Sequence, residues 1–199
     1  DIDGEATGDA SGNSVSLRAD GSRVAVGAVY NDGNGSDSGH TRIFEYTEGG
    51  WSQLGADIDG EEEGDYSGSC VCLSSDGNRV AIGAHGNDGN GSWSGHVRVF
   101  EFSEGVWVQL GADIDGGHSD ARIGSAISIN ANGSRIAIGE INSTGYVRVY
   151  EYNGSNWIQL GPMISGESGD YFGRVAFNSD GTRLATAAVA NDDNGIDSG

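Results

Sequence analysis

WSQLGADIDGEEEGDYSG, residues 51–68, returns as WVQLGADIDGGHSDARIG at 107–124 and again as WIQLGPMISGESGDYFG at 157–173. DIDG opens at Asp1, Asp57 and Asp113. The tryptophans that lead the stretch, Trp51, Trp107 and Trp157, are 56 and then 50 residues apart. A period in this range means one supersecondary unit copied in tandem, each copy burying its faces against its neighbours.

Working outward from the second copy, the unit reads as four strands. Ser69–Ser74 is the first. An Asp76-Gly77 turn leads to the second, Arg79–Ala84. A Gly/Asn/Asp-rich loop follows, then a third strand at His96–Phe102 and a fourth at Trp107–Gly111. Asp-Gly or Asn-Gly recurs at the first turn (Asp20-Gly21, Asp76-Gly77, Asn132-Gly133, Asp180-Gly181), which predicts two-residue hairpins of the primed type. The first strand alternates large and small: Val15 and Leu17 against Ser14 and Ser16, Val71 and Leu73 against Cys70 and Cys72, Ile127 and Ile129 against Ala126 and Ser128. Small residues on one face let a neighbouring sheet come close, and large ones on the other fill its gap. A strand with both faces buried needs this pattern. Four antiparallel strands per unit, buried on both faces and copied in tandem, predict an all-β fold of β-propeller blades. The chain holds about three and a half: 1–56, 57–112, 113–162 and an incomplete 163–199.

Composition agrees. Gly makes up 36 of 199 residues and Pro only 1, and the glycines fall at repeated turn positions. All ten basic residues are Arg, and seven of them recur at equivalent places: Arg23, Arg79, Arg135 and Arg183 after the first turn, Arg42, Arg98 and Arg148 in the third strand. The net charge of -20 leaves no basic face for nucleic-acid phosphates. No apolar run approaches the ~18–20 residues that span a bilayer, which argues against membrane insertion. The two cysteines, Cys70 and Cys72, point to one face of a strand and do not suit a mutual disulfide. They read as small buried residues.

The blades resemble FG-GAP repeats, the units of integrin alpha-subunit heads. The likeness rests on Phe172-Gly173 before the first strand, Gly27-Ala28 and Gly83-Ala84 closing the second, and GHVRVFEF in the third. It is nearest to the calcium-poor tandem branch of that family. In integrin-type blades the first turn is a calcium loop. Here that turn is cut to two residues, so those ligands have no counterpart. The resemblance implies propeller blades that bind a partner at a cell surface or outside the cell.

The loop between the second and third strands is the first candidate site: Asp32, Asn34 and Asp37, and again Asp192, Asn194 and Asp197, set oxygens at alternating positions, a pattern that suits calcium. The same residues suit a long hairpin held by Asx turns. The second repeat puts Trp93 where the last acid stood, and the third shortens the loop to Glu140–Tyr146. Trp93 reads either as an anchor for a protein or sugar partner or as loop packing. The DIDGE…GD segments (Asp57, Asp59, Glu61, Asp65) crowd carboxylates where one blade leads to the next. They could take calcium or solvate the loop. Asn34, Asn90, Asn132, Asn142 and Asn153 lie in N-x-S/T sequons. His40 and His96 are repeat-equivalent and read as structural.

The sequence therefore predicts a non-catalytic interaction module that binds a protein partner, outside the cell or at its surface. A calcium-assisted glycan-binding propeller is the alternative. Three and a half blades do not close a ring, so the expectation is a segment of a longer chain or a subunit of an assembly.

Overall fold

Each repeat begins with the hairpin its alternation dictates. In the computed structural model, which describes residues 1–140, 142 and 144–192, the first blade is built from β1 (Ser11–Leu17), β2 (Arg23–Ala28), β3 (His40–Thr47), β4 (Gly50–Gln53) and β5 (Ile58–Asp59). The second is β6 (Ser67–Leu73), β7 (Arg79–Ala84), β8 (His96–Ser103), β9 (Val106–Gln109) and β10 (Ile114–Asp115). The third is β11 (Ile123–Ile129), β12 (Arg135–Glu140), β13 (Tyr146–Tyr152), β14 (Trp157–Gln159) and β15 (Ile164–Ser165). A hairpin of β16 (Phe172–Phe177) and β17 (Leu184–Ala188) starts a fourth. All pairing within the sheets is antiparallel, in chain order from the inner strand outward. This is a set of β-propeller blades.

The outer strand comes in two pieces. β4 pairs with the far end of β3 (Phe44–Thr47) and β5 with its beginning, His40↔Asp59 and Thr41↔Ile58. The DID segment thus completes the outer edge of the blade it follows, and the first sheet runs on to Asp59, past the boundary expected at residue 56. The second and third sheets do the same at Asp115 and Ser165.

The first turns differ from the primed hairpins expected. Gly77 takes a left-handed φ of 67°, but Asp76 does not. The Gly77 N–H donates to Ser74 O, and the Ser74 N–H donates to Arg79 O. The turn is therefore longer than two residues and closes on a single left-handed glycine. Asp76 is there as an acceptor: its Oδ1 takes the Asn78 N–H at 3.0 Å and the Ser74 hydroxyl at 2.7 Å.

Successive inner strands lie side by side, and the alternation on them has a direct purpose. The backbone N–H groups of Val71 and Leu73 donate to Ser14 Oγ and Ser16 Oγ of the preceding blade, both at 2.9 Å. Phe177 donates to Ser128 Oγ at 2.9 Å. Cys70 and Cys72 hold the same positions, and their sulfurs take the backbone N–H groups of Ile127 and Ile129. Burial pushes the Cys70 thiol up to about 11, so both cysteines are inert packing acceptors. Gly27, Gly83 and Gly139 in the second strands meet the carbonyls of Gly68, Gly124 and Gly173 in the next blade. Those partner glycines sit at the bulge that opens each inner strand, with φ of 86°, 94° and 135°.

The cores lie between blades. Ala25, Ile43 and Ile58 of the first pack on Val71, Leu73, Val80, Ile82 and Phe100 of the second. Ala81, Val97, Val99 and Ile114 of the second pack on Ile127, Ile129, Ile136 and Ile138 of the third. Val15 and Leu17, equivalent to the buried Val71 and Leu73, are exposed on the outer face of the first blade. Further out, Arg23 joins Glu45 of its own blade (2.9 Å) to Gly77 O of the next (3.2 Å). Arg79 and Arg135 repeat both bonds. At the rim, Trp107 Nε1–H donates to Leu54 O and Trp157 Nε1–H to Leu110 O, each at 2.8 Å. No helix of the described residues is long and apolar enough to cross a membrane.

Because a Cβ at residue 83 would collide with the Gly124 carbonyl while the backbone there needs no left-handed φ, Gly83→Ala isolates the close approach of two blades. It should lower unfolding stability by about 1–3 kcal/mol in urea titration. A loss near zero would mean the blades do not meet there.

Candidate functional site

The end of each sheet that carries the second-to-third-strand loop also receives the segment entering that blade, and these two pieces are tied together. Asn31 Nδ2 donates to the buried Asp9 carboxylate (3.0 Å) and Asn87 Nδ2 to Asp65 (3.1 Å). Asp65 Oδ2 also accepts the N–H groups of Glu61 and Glu62. Of the residues expected to hold calcium, Asp32 takes the Asp37 N–H on Oδ1 at 2.9 Å, closing the loop. Asn34 turns its amide nitrogen, not its oxygen, to Gly60 O (2.8 Å) and Glu61 O (2.9 Å). Asp37 takes a left-handed φ of 53°. The same bonds recur in the second blade, Asp88 Oδ1 to the Trp93 N–H and Asn90 Nδ2 to Gly116 O, both 2.7 Å. They hold there although a tryptophan replaces the acid, so loop closure alone accounts for them. Asp192 follows Asn191, which reaches Asp170 as its counterparts do. Asn194 and Asp197 lie outside the described residues.

Trp93 lands in a recess. A cavity of 350 Å³ opens among the inner parts of the three blades, lined by Asn13, Val29, Tyr30, Tyr66, Ser69, His85, Trp93 and Ser125. Tyr66 is its centre. Its ring stacks on His85 (5.4 Å, 14°) and Trp93 (5.7 Å, 26°), and Tyr30 meets it edge-on at 5.8 Å. The Arg122 guanidinium lies 5.0 Å from the Trp93 ring centre. Gly86 leaves room for the Tyr66 ring, which a Cβ there would strike. Two of these residues break the repeat, His85 where the first copy has Val29 and Trp93 where it has Asp37, whereas Tyr66 recurs as Tyr171. His85 Nδ1 is buried without a partner, and burial, then Arg122, hold its pKa below the ordinary imidazole value.

A second cavity, 360 Å³ and acidic, is lined by Glu61, Glu62, Asn87, Asp88, Gly89, His96, Asp113 and Asp115. In it the side chains of Glu61, His96 and Asp113 bring one donor atom each within 4.8 Å of one another. Glu5, His40 and Asp57 do the same in the first blade. Burial, then Arg98, push His96 down to about 4, against the opposing pull of Asp113 and Asp65. Burial raises Glu61, with the neighbouring acids adding to it and Arg98 opposing.

The third blade carries a feature that sequence reasoning passed over. Glu140, buried at the end of β12 where the other blades have Ala28 and Ala84, accepts from His118 Nε2 and Asn142 Nδ2 at 2.9 Å and from Arg148 Nη2 at 3.1 Å. Its signal was a carboxylate in an alanine position, hidden because the loop after it is shortened.

No protein-family model matches the chain, and neither does any curated protein sequence. Solved structures do resemble it. A proposed 6-phosphogluconolactonase from Bacteroides uniformis superposes with a TM-score of 0.59 at 12% identity, over 88% of this chain and 47% of that one. The β-propeller domain of Cps50 (Swd1) from Myceliophteria thermophila gives 0.54 at 12%, over 88% and 49%. Hydrazine synthase from Kuenenia stuttgartiensis gives 0.52 at 12%, over 87% and 42%. The chain spans about half the length of these structures or less. At such identities the likeness is one of fold, and it is to propellers.

The depressed His96 carries a pH signature. Its folded pKa of about 4 lies below the ~6.5 of an unfolded chain, so acid protonates the unfolded state first. Its contribution is fully present above pH ~6.5 and is lost as the pH falls toward 4, by at most ~1.4 kcal/mol per unit. Urea unfolding in EDTA across that range should show a shallower acid loss for His96→Asn than for the wild type. Parallel curves would show that His96 titrates as it does in the unfolded chain.

Proposed function

We propose that the chain is a non-catalytic interaction module of a β-propeller of FG-GAP type. It binds a protein partner outside the cell or at its surface, at the blade end where the aromatic recess opens. The observation that carries this reading is that His85 and Trp93, two departures from the repeat, meet around Tyr66 in one cavity. They converge on a half-exposed surface of rings beside a guanidinium. Aromatic and Arg side chains in a pocket are the usual energetic anchors of protein interfaces. The recess supports binding better than catalysis. His85 is the one imidazole among its described lining residues, its Nδ1 has no partner, and none of those residues is a carboxylate. The acidity of the chain, -20 overall, favours a partner with a basic surface.

A glycan is the second reading, favoured by one specific observation. The nearly parallel rings of Tyr66 and Trp93 form a platform of the kind that stacks on a sugar face. Calcium held by the Asp32, Asn34 and Asp37 loop would belong to that reading.

Proximity cross-linking on intact cells of the source organism, followed by binding measurements on the purified partner, tests the first reading. Trp93→Ala and Tyr66→Ala should each weaken binding by at least about 2 kcal/mol, roughly 30-fold. Variants that bind as tightly as the wild type would remove the recess from the account. Hits on a glycan array that vanish in the same variants, with or without calcium, would replace the protein partner by a sugar.

A further inference from the structure

The two His-centred clusters at the blade ends have the construction of a binding site, and they are independent of the aromatic recess. His40 and His96 open β3 and β8, and each is only 1% exposed. His40 Nδ1 is buried without a hydrogen-bond partner. Glu5 Oε2 lies 3.8 Å from it and Asp57 Oδ2 3.9 Å, both too far to accept its proton well. In the second blade Glu61 Oε2 lies 3.7 Å from His96 Nδ1 with Asp113 beside them, and the imidazole nitrogen buried without a partner there is Nε2.

The carboxylates are held from behind. Arg42 reaches the other oxygen of Glu5 (3.3 Å) and Arg98 that of Glu61 (3.4 Å). Gln53 Nε2 donates to Asp57 Oδ1 at 2.5 Å and Gln109 Nε2 to Asp113 Oδ1 at 2.6 Å. Each acid therefore has one oxygen anchored. In the first blade the free oxygen of both acids is aimed at the imidazole. Outer partners of this kind orient metal ligands and tune their basicity.

The third blade supplies an internal control. It keeps the framework residues Arg148 and Gln159 but has Gly117, Tyr146 and Met163 at the three cluster positions. Arg148 there turns to Glu140 and to Met163 Sδ instead. The three residues are present together twice and absent together once. That is the behaviour of a set that works as a unit, not of three independent surface choices.

We infer that each of the first two blades binds one divalent transition-metal ion of the zinc class, through Glu5, His40 and Asp57 and through Glu61, His96 and Asp113. An imidazole nitrogen with two carboxylate oxygens suits zinc and its first-row neighbours, whereas calcium and magnesium prefer oxygen alone. Bonds of roughly 2.0–2.1 Å in tetrahedral geometry put donor atoms roughly 3.3 Å apart, so the His–acid separations of 3.7–3.9 Å need close by only about half an ångström, and the other donor separations, all within 4.8 Å, by up to roughly 1.5 Å. The glutamates, 41% and 42% exposed, sit on the entering segments and are free to move that far. The metal would fasten each entering segment to the third and outer strands of its blade.

Titration calorimetry of the EDTA-stripped and dialysed chain with zinc chloride tests this, with cobalt(II) absorption as a spectroscopic check on nitrogen-oxygen ligation. Two ions per chain are expected, one in Glu5→Gln, and none in Glu5→Gln with Glu61→Gln. These substitutions fall on half-exposed side chains, and circular dichroism will confirm that the fold is kept. Gln53→Ala and Gln109→Ala should each weaken one site 10–100-fold. Fewer than two ions in the wild type, two ions retained in the double variant, or displacement of zinc by equimolar calcium would overturn the assignment.

Discussion

The inner strand of each blade presents a row of backbone N–H groups on its free edge, and the fold is organised around satisfying them. An unpaired sheet edge is costly when buried and hazardous when exposed. Here the preceding blade answers with side chains in place of a β-ladder: Ser14 and Ser16 to Val71 and Leu73, Cys70 and Cys72 to Ile127 and Ile129, Ser128 to Phe177. A Ser or Cys acceptor reaches the next backbone only if the two sheets nearly touch. That requirement makes Gly27, Gly83 and Gly139 obligatory and places a bulge glycine opposite each of them. Each blade's large residues then fill the widening gap farther from the inner edge, and the Arg and Trp bonds close its middle and rim.

A scaffold fastened at three radii leaves its loop ends free to change. Asn–Asp bonds such as Asn31 to Asp9 and Asn87 to Asp65 hold the entering segment against the second-to-third-strand loop whatever occupies the positions around them. The same framework thus carries an acid at residue 37 and a tryptophan at 93. Two blade ends carry imidazole-carboxylate clusters and another a buried Glu140 held by Arg148. Rigid blades with variable ends are the usual way a repeat fold diversifies its binding.

Most of the architecture was legible because it recurs. The large-small alternation of the inner strands and the Gly-Ala closing the second strand depend on backbone geometry that is identical in each copy. What escaped depends on pairing across distance. The DID segments looked like the start of a blade because DIDG opens at Asp1 and recurs at Asp57 and Asp113. Only their bonds to the head of β3 and its counterparts show that they end one. The cysteines read as small fillers, and their role as acceptors belongs to the next blade's backbone. His40 and His96 looked structural for the reason that they repeat, yet repetition is also what a duplicated site produces. Trp93 was singled out by its place outside the repeat. Its partners Tyr66 and His85 were not, since their convergence needs two loops from different parts of the chain. Asp32, Asn34 and Asp37 showed oxygens at metal-like spacing, but spacing does not reveal that Asn34 faces its neighbours with nitrogen.

The edge-satisfaction account is tested most directly by native-state hydrogen exchange at the amides of Val71 and Leu73, in the wild type and in Ser14→Ala with Ser16→Ala. The account predicts that both amides lose protection by one to two orders of magnitude in the variant, the equivalent of about 1–3 kcal/mol for an unsatisfied buried donor. The amides of Ile127 and Ile129, served by Cys70 and Cys72, should stay protected as before. Unchanged protection at Val71 and Leu73 would contradict it, showing that the inner edges are held by something other than the side chains of the preceding blade.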